Sequence, residues 1–209
     1  MQDLLLSPEE ARVVAALVEK SITTPKYYPM TTNALMAACN QKNCRYPLMQ
    51  MSEGEVGAAL RDLRDRELVA QDDGGRALRW RHRLTHGLRL SRETQAVLVT
   101  LMLRGPQTLL ELRAHAEALG GPADAEGVRA ALDDLTDRAQ PMVRLLERAP
   151  GQKEARYAHL LCGEDAIPEV AVAPAASSGG SASGRLEALE ARVAVLEDQL
   201  RELLERATG

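Results

Sequence analysis

The sequence predicts a mainly α fold with small β-hairpins (α+β), built from two related modules and completed by a C-terminal coiled-coil helix. The stretch VGAALRDLRDRELVA from Val56 returns as VRAALDDLTDRAQPMV from Val128, which indicates that one helical unit occurs twice. A hairpin pattern follows each copy, and a heptad pattern occupies the end of the chain. The chain is 45% hydrophobic and has no Phe, which suits small cores of Leu, Val and Ala between short helices.

The first module, residues 1–90, is predicted to begin with three helices. They are expected at about residues 7–20, from Thr31 or Thr32 to Cys39, and at about residues 52–67. Pro25 and Pro29 break the chain after the first helix because proline removes a backbone donor. Ser52 and Glu55 have the spacing of a capping box, which predicts where the third helix begins. Leu68–Ala70, a turn from Asp72 to Gly75, and Arg76–Leu84 then form a hairpin.

The second module, residues 91–163, repeats this plan. Helices are predicted from Ser91 to Arg104, from Thr108 through Leu119 and from Asp124 to Arg138, and hairpin strands at residues 142–146 and 156–161. Three helices followed by a hairpin are typical of the winged helix, in which the third helix and the hairpin wing commonly contact DNA. The sequence therefore predicts two tandem winged-helix domains.

Three segments resemble a known family. TPKYYPMTTNALMAACNQK from Thr24, LRGPQTLLELR from Leu103 and GQKEARYAHLL from Gly151 are similar to signature segments of the YceH-like bacterial proteins, a tandem winged-helix family without an established function. The resemblance covers about Leu6–Leu161. It implies the winged-helix fold and a cytoplasmic bacterial setting, and it brings no catalytic residues with it.

Arginines place the predicted DNA contacts in the first module. The net charge is −4, but phosphate contacts need a local cluster of basic side chains and not a basic chain. The candidates are the arginines of the third helix and of the second hairpin strand: Arg61, Arg64, Arg76, Arg79, Arg81 and Arg83. The alternative for these arginines is a solvated face that forms ordinary surface ion pairs.

Other residues could enlarge this surface or oppose it. Its predicted extensions are Lys26, Tyr27, Tyr28, Lys42 and Arg45, while Trp80 either anchors the hairpin or stacks nearby. The third helix of the second module presents carboxylates instead, at Glu126, Asp133, Asp134 and Asp137. Carboxylates repel phosphates, so the second module is not expected to bind DNA. Its expected role is to provide a packing surface or a surface that recruits a partner.

No cofactor, metal site or catalytic residue is predicted. The chain has none of the patterns GxGxxG, GxxxxGK, GxSxG or HExxH, so an enzyme is not expected. Its three cysteines are expected to be free thiols, since the chain begins without an export signal. A zinc site of Cys39, Cys44, His82 and His86 is disfavoured because the two pairs are too far apart for a zinc finger. A thiol role for Cys39 and Cys44 stays open, because Lys42 and Arg45 are close in sequence.

The end of the chain predicts an oligomer. Residues 164–184 have the Ala, Pro, Ser and Gly composition of a disordered linker, and residues 185–209 are predicted to form a coiled-coil helix. Its a and d positions are Leu186, Leu189, Val193, Leu196, Leu200 and Leu203. Arg185 and Arg192 at g positions would meet Glu190 and Glu197 at e positions in a parallel homodimer. The a and d pattern is also compatible with a trimer, and a helix that docks on its own domains is the alternative to an oligomer.

These features together predict a cytoplasmic, DNA-binding, regulator-like protein that is dimeric and does not enter a membrane. No stretch reaches the about 18 apolar residues of a membrane span. Double-stranded DNA is the predicted partner, contacted by the wing of the first module. The alternative function is a protein–protein interaction scaffold that uses winged helices without binding DNA.

Overall fold

The computed structural model describes residues 5–72, 77–148 and 152–167. The first half contains α1 (Pro8–Thr23), α2 (Thr32–Cys39), α3 (Glu53–Asp65), β1 (Val69–Asp72) and β2 (Arg79–His82). The short helix α4 (Leu84–Leu88) leads into α5 (Arg92–Arg104), α6 (Leu109–Ala116), α7 (Ala125–Thr136), β3 (Val143–Leu145) and β4 (Tyr157–His159). Single 3-10 turns lie at Pro25–Tyr27, Glu117–Leu119 and Glu164–Ala166. The α+β class is confirmed.

The coiled-coil prediction for residues 185–209 lies outside the described residues. The folded chain continues through the turn at Glu164–Ala166 to Ile167, which is the beginning of the segment expected to be a linker. Both halves belong to one compact unit, residues 1–170.

Side-chain caps set where the helices begin. Ser52 Oγ accepts the N–H of Glu55 at 3.3 Å while the Glu55 carboxylate accepts the N–H of Ser52 at 2.7 Å, so the predicted capping box is confirmed. Equivalent boxes start α1 and α6, and single side-chain caps from Thr31, Ser91 and Asp124 start α2, α5 and α7. Each cap stabilises its helix by about 1 kcal/mol, so short local patterns suffice to locate these starts.

The repeated helices α3 and α7 bury the same face. Buried positions at matching spacing are Val56, Ala59, Leu60 and Leu63 in α3 and Val128, Ala131, Leu132 and Leu135 in α7. These are the apolar positions that the sequence predicted to face the core.

A backbone pairing outside the hairpins also occurs in both halves. Met30, directly before the cap of α2, exchanges hydrogen bonds with Trp80 of β2, and Gln107, directly before the cap of α6, does the same with Tyr157 of β4. Each antiparallel pair therefore gains a one-residue third strand at the equivalent place. This shared detail supports duplication beyond the repeated helix.

The two halves share their core through α1 and α5. All residues from Glu10 to Val18 and from Thr94 to Leu103 are buried, which requires neighbours on every side of each helix. Helix α1 packs against α2, α3 and α5, and α5 packs against α1, α6 and α7. One hydrophobic core consequently runs through both halves.

The second strand of the first hairpin is shorter than the sequence indicated. It was expected to continue to Leu84, but β2 ends at His82 and Leu84 begins α4. The N–H of Arg83 donates to the carbonyl of Leu68 at 2.7 Å, after which Leu84 and Leu88, one helical turn apart, are both buried. Burial of these two leucines favours a helix over an extended strand.

The second helix of the second half is also shorter than predicted. It was expected to run through Leu119, but α6 ends at Ala116 and a 3-10 turn follows. Gly120 has a φ of +76°, and a Cβ at Gly121 would lie 2.8 Å from the carbonyl oxygen of Ala116. The left-handed backbone at Gly120 and the close approach at Gly121 turn the chain there.

Candidate nucleic-acid interface

The exposed face of α3 carries two of the predicted arginines. Arg61 and Arg64 both lie on the side opposite the buried residues. Arg64 forms an ion pair with Asp65 at 3.1 Å and donates to Gln71 of β1 at 3.4 Å. Within the described residues Arg61 forms no ion pair, so its charge is available to a ligand.

The strand register places Arg79 and Arg81 together. Asp72 pairs with Arg79 and Ala70 with Arg81 across the antiparallel ladder, and because side chains alternate along a strand, these four residues share one face. We call this the outer face of the first hairpin. Trp80 lies on the other face and is buried.

The arginines of the outer face differ in their partners. Arg81 forms an ion pair with Asp72, while the Arg79 guanidinium donates to the carbonyl of Pro29 at 2.8 Å. Arg83 is exposed directly after β2. Arg79 and Arg83 have no carboxylate partner in the part of the chain that the structure describes. Arg76 falls outside the described residues.

Trp80 anchors the hairpin. It is 4% exposed, and its Nε1 donates to Thr32 Oγ1 at 3.3 Å. This contact connects β2 to the first turn of α2. The Trp80 ring is therefore part of the core and is not free to stack on a base.

His82 and Tyr28 complete this anchor. The N–H of His82 donates to the Tyr28 hydroxyl at 2.6 Å, and His82 Nε2 lies 3.2 Å from Ser21 Oγ. Burial lowers the pKa of His82, so its imidazole adds no positive charge at neutral pH. Burial raises the pKa of Tyr28 to about 12.

One predicted extension of the surface is wrong. Arg45 was expected beside Lys26 and Lys42 on the surface, but it is 5% exposed. Its guanidinium forms an ion pair with Glu19 at 2.6 Å and donates to the carbonyl of Ala38. Lys26, Tyr27 and Lys42 are exposed as expected.

The equivalent surface of the second half has a different charge. The four carboxylates predicted for α7 are exposed, and Asp134 holds Arg138 at 3.0 Å. Two arginines of its hairpin are paired as well, Arg144 with Glu164 at 2.7 Å and Arg156 with Glu111 at 2.7 Å. Arg148, in the connection between β3 and β4, is exposed and forms no ion pair with the described residues, so the second hairpin offers one such arginine where the first offers Arg79 and Arg83.

The three cysteines differ in their exposure. Cys39 is buried, Cys44 is exposed and Cys162 is intermediate, and all three are free. Burial raises the pKa of Cys39 to about 12 and that of Cys162 to about 11, which makes both thiols poor nucleophiles and poor metal ligands. No three His, Cys, Asp or Glu side chains converge as metal ligands within the ranges described.

Sequence reasoning missed a buried pair of guanidiniums. Arg12 on α1 is 2% exposed, and the charge of Arg45 acts on it. Arg12 lies within the otherwise apolar stretch ARVVAALV from Ala11, and that position was the available signal.

No helix of the described ranges is long and apolar enough to cross a bilayer.

Comparison with known proteins identifies the family. Residues 6–152 match the family described as "Protein of unknown function, DUF480". The UPF0502 protein of Acidovorax sp. (strain JS42) is 45% identical over 210 residues, which cover 96% of this chain and 93% of the relative. The UPF0502 protein of Burkholderia lata is 43% identical over 198 residues, 95% of this chain and 84% of the relative. The UPF0502 protein of Pelobacter propionicus is 50% identical over 163 residues, which cover 78% of this chain and 74% of the relative. The resemblance to the YceH-like proteins is consistent with these matches, and the chain belongs to the DUF480 family of bacterial proteins.

Proposed function

We propose that this protein is a dimeric, regulator-like DNA-binding protein that contacts duplex phosphates with its first half. The observation that carries the proposal is the outer face of the first hairpin. Arg79 and Arg81 project from this face, Arg83 follows at its end, and Asp72 is the one carboxylate among the described residues of the face. The proposed action is binding, with no catalytic step and no cofactor, in the cytoplasm.

The order of elements supports a winged-helix domain in each half. Three helices precede an antiparallel pair in both, and a third backbone segment pairs with the second strand at Met30 and at Gln107. In a winged helix the third helix and the hairpin lie side by side and can contact DNA together. Here the hydrogen bond from Arg64 to Gln71 joins α3 to β1 directly.

Charge selects which part of α3 approaches DNA. Glu53 and Glu55 lie exposed in its first turn, where their carboxylates would repel a phosphate. Arg61 and Arg64 lie in the C-terminal half, next to the hairpin. We therefore assign the contact to the hairpin and the C-terminal half of α3, which favours phosphate contacts over base recognition by the helix N-terminus.

Unpaired charge sets the expected salt dependence. Arg61, Arg79 and Arg83 carry no carboxylate partner among the described residues, and each phosphate contact contributes a slope of about −0.9 in log affinity against log salt. Three contacts per chain would weaken binding about 40-fold between roughly 50 and 200 mM salt. A parallel dimer formed by residues 185–209 would double the contacts and add avidity.

Direct binding to duplex DNA tests the proposal. The full chain is titrated into a fluorescent pool of genomic duplex fragments at low salt, beside the triple variant Arg79→Ala, Arg81→Ala, Arg83→Ala. A matched control replaces Arg113, Arg129 and Arg148, which are exposed arginines of the second half. We expect the first triple variant to lose binding and the control to keep it. Equal loss in both would contradict an interface on the first hairpin.

A protein-interaction scaffold is the second candidate function. The observation that favours it is the carboxylate face of α7, with Glu126, Asp133 and Asp137 exposed. A scaffold of this kind would recruit a basic protein surface. Absence of DNA binding by the full chain even at low salt would favour this function over the first.

Dimerisation has its own test. Sedimentation of the full chain should give a dimer, and the double variant Leu189→Asp, Leu196→Asp should sediment as a monomer because a charge at d cannot be buried in a helix pair. A monomeric wild type would contradict the proposed dimer.

A further inference from the structure

A cavity of about 180 Å³ lies where the two halves meet. Residues of α1, the loop after α2, the end of α5, β4 and the turn that follows β4 line it. Its apolar lining includes Ala11, Pro47, Met49, Met102, Ala158 and Ile167. Arg12 and His159 also line it, so an apolar wall carries a cation and an imidazole.

Arg12 is a buried cation without a carboxylate in direct contact among the described residues. Its Nη1 donates to the carbonyl of Cys39 at 3.2 Å and its Nη2 to the carbonyl of Pro47 at 2.7 Å. Its Nε is buried and has no partner within the described chain. The neighbouring carboxylate, Glu19, is engaged by Arg45 at 2.6 Å. Two guanidiniums thus share one carboxylate.

The surroundings of both polar groups disfavour positive charge. Burial first, and the charge of Arg45 second, lower the pKa of Arg12, although an arginine stays protonated in proteins. Burial lowers the pKa of His159 to about 4, so its imidazole is neutral at pH 7. His159 Nδ1 is buried without a partner in the described residues and can donate when it carries the proton.

We propose that this cavity binds a small organic monoanion, an aromatic or branched-chain carboxylate. Its carboxylate would lie beside the Arg12 guanidinium and the His159 imidazole, and its apolar body would pack against Met49 and Met102. The volume fits this class, because an engineered cavity of about 150 Å³ accommodates benzene. This function is separate from DNA binding.

Other ligand classes satisfy the cavity less well. A purely apolar molecule would leave the positive charge of Arg12 in the cavity wall without a balancing anion, which costs free energy. A phosphate or a nucleotide would bring more negative charge than one guanidinium can balance, and apolar walls could not solvate the excess. A monoanion with an apolar body matches both the charge and the lining.

Methionine methyl NMR of the full chain tests the proposal. The chain has seven methionines, and Met49 and Met102 line the cavity whereas Met30, Met36 and Met142 do not. Benzoate, phenylacetate and isovalerate are each titrated beside the corresponding neutral amide. At least one acid should shift the Met49 and Met102 methyls selectively and bind at least about tenfold tighter than its amide.

Two variants locate the anion. Arg12→Gln should remove the preference for the acid over the amide. If Arg12→Gln does not fold, a second variant tests the site. Ala166 is exposed and lies on the cavity lining, so Ala166→Trp should abolish the methyl shifts. Ala118→Trp changes an exposed control position and should keep them. Absence of a selective response to all three acids overturns the proposal, and so does a response that survives Ala166→Trp.

Discussion

Replacing Glu19 with Gln should destabilise the protein far more than the loss of one surface charge. The side chain of Arg45 is 0% exposed and that of Glu19 is 14% exposed, and the guanidinium donates to both carboxylate oxygens, at 3.0 and 2.6 Å. The Glu19→Gln variant would leave Arg45 and Arg12 buried without a carboxylate. Breaking a buried ion pair in this way costs about 3–5 kcal/mol, a large part of the about 5–15 kcal/mol by which domains are stable.

Urea denaturation at about 25 °C measures this loss as a change in the free energy of unfolding. The matched control is Asp65→Asn, which removes a carboxylate from Arg64 where both side chains are exposed, 44% for Arg64 and 69% for Asp65. The control should cost less than about 1 kcal/mol. A Glu19→Gln loss no larger than that of the control would refute the assignment of Arg45 as a buried cation that depends on Glu19.

The same ion pair predicts a pH dependence. Burial would raise the pKa of Glu19, but the hydrogen bond and charge of Arg45 outweigh it and lower the pKa below its ordinary value of 4.5. The contribution of Glu19 to stability is therefore full above pH 4.5 and is lost as the pH falls through the lower pKa of the folded state. The Glu19→Gln variant should lack this part of the acid destabilisation.

Three further predictions concern other buried groups. Trp80→Phe should lower the free energy of unfolding by about 1 kcal/mol because it removes the hydrogen bond to Thr32, and Trp80→Ala should cost about 3–5 kcal/mol because it also opens a cavity. Under native conditions Ellman's reagent should modify the exposed Cys44 first, whereas Cys39, buried and with a pKa raised to about 12, should react only on unfolding. His159 has a pKa lowered by burial from 6.5 to about 4, so the unfolded state binds the proton first and stability should fall by up to about 3 kcal/mol as the pH drops from about 6.5 to about 4.

Each of these has an outcome that would contradict it. A Trp80→Ala variant as stable as the wild type would mean that the hairpin does not depend on its anchor. Rapid modification of Cys39 in the native protein would contradict its burial. For His159, an NMR titration midpoint near the ordinary value of 6.5 would contradict the lowered pKa, and a His159→Phe variant with unchanged pH dependence would show that another group titrates.

Signals confined to a few neighbouring residues predicted the helix starts and the buried helix faces well. The Ser52–Glu55 box and the Asp124 cap depend on contacts within one helical turn, so sequence spacing was enough to place both helix starts. The apolar faces of α3 and α7 followed from a periodicity that any amphipathic helix must satisfy. Element ends were harder, because the end of β2 depends on the distant carbonyl of Leu68.

Long-range contacts explain what sequence reasoning missed at the candidate sites. Arg45 was interpreted as an extension of the arginine surface, yet its side chain is buried against Glu19, which is 26 residues away in sequence. The cavity at Arg12 joins segments from both halves, and no local pattern brings Arg12 and His159 together. The arginines of the first hairpin were found because strand alternation is local, while their ion pairs, such as Arg81 with Asp72, required the register.

The salt dependence of DNA binding tests the central claim most directly. The affinity of the full chain for genomic duplex DNA is measured across a salt series for the wild type and for the variant with Arg79, Arg81 and Arg83 replaced by Ala. We predict a steep fall in wild-type affinity with salt and a slope reduced by about 1.8 per chain in the variant, since Arg79 and Arg83 are two of the three arginines without a carboxylate partner among the described residues and each lost phosphate contact removes about 0.9. Equal slopes, or no binding at low salt, would contradict DNA recognition by the first hairpin.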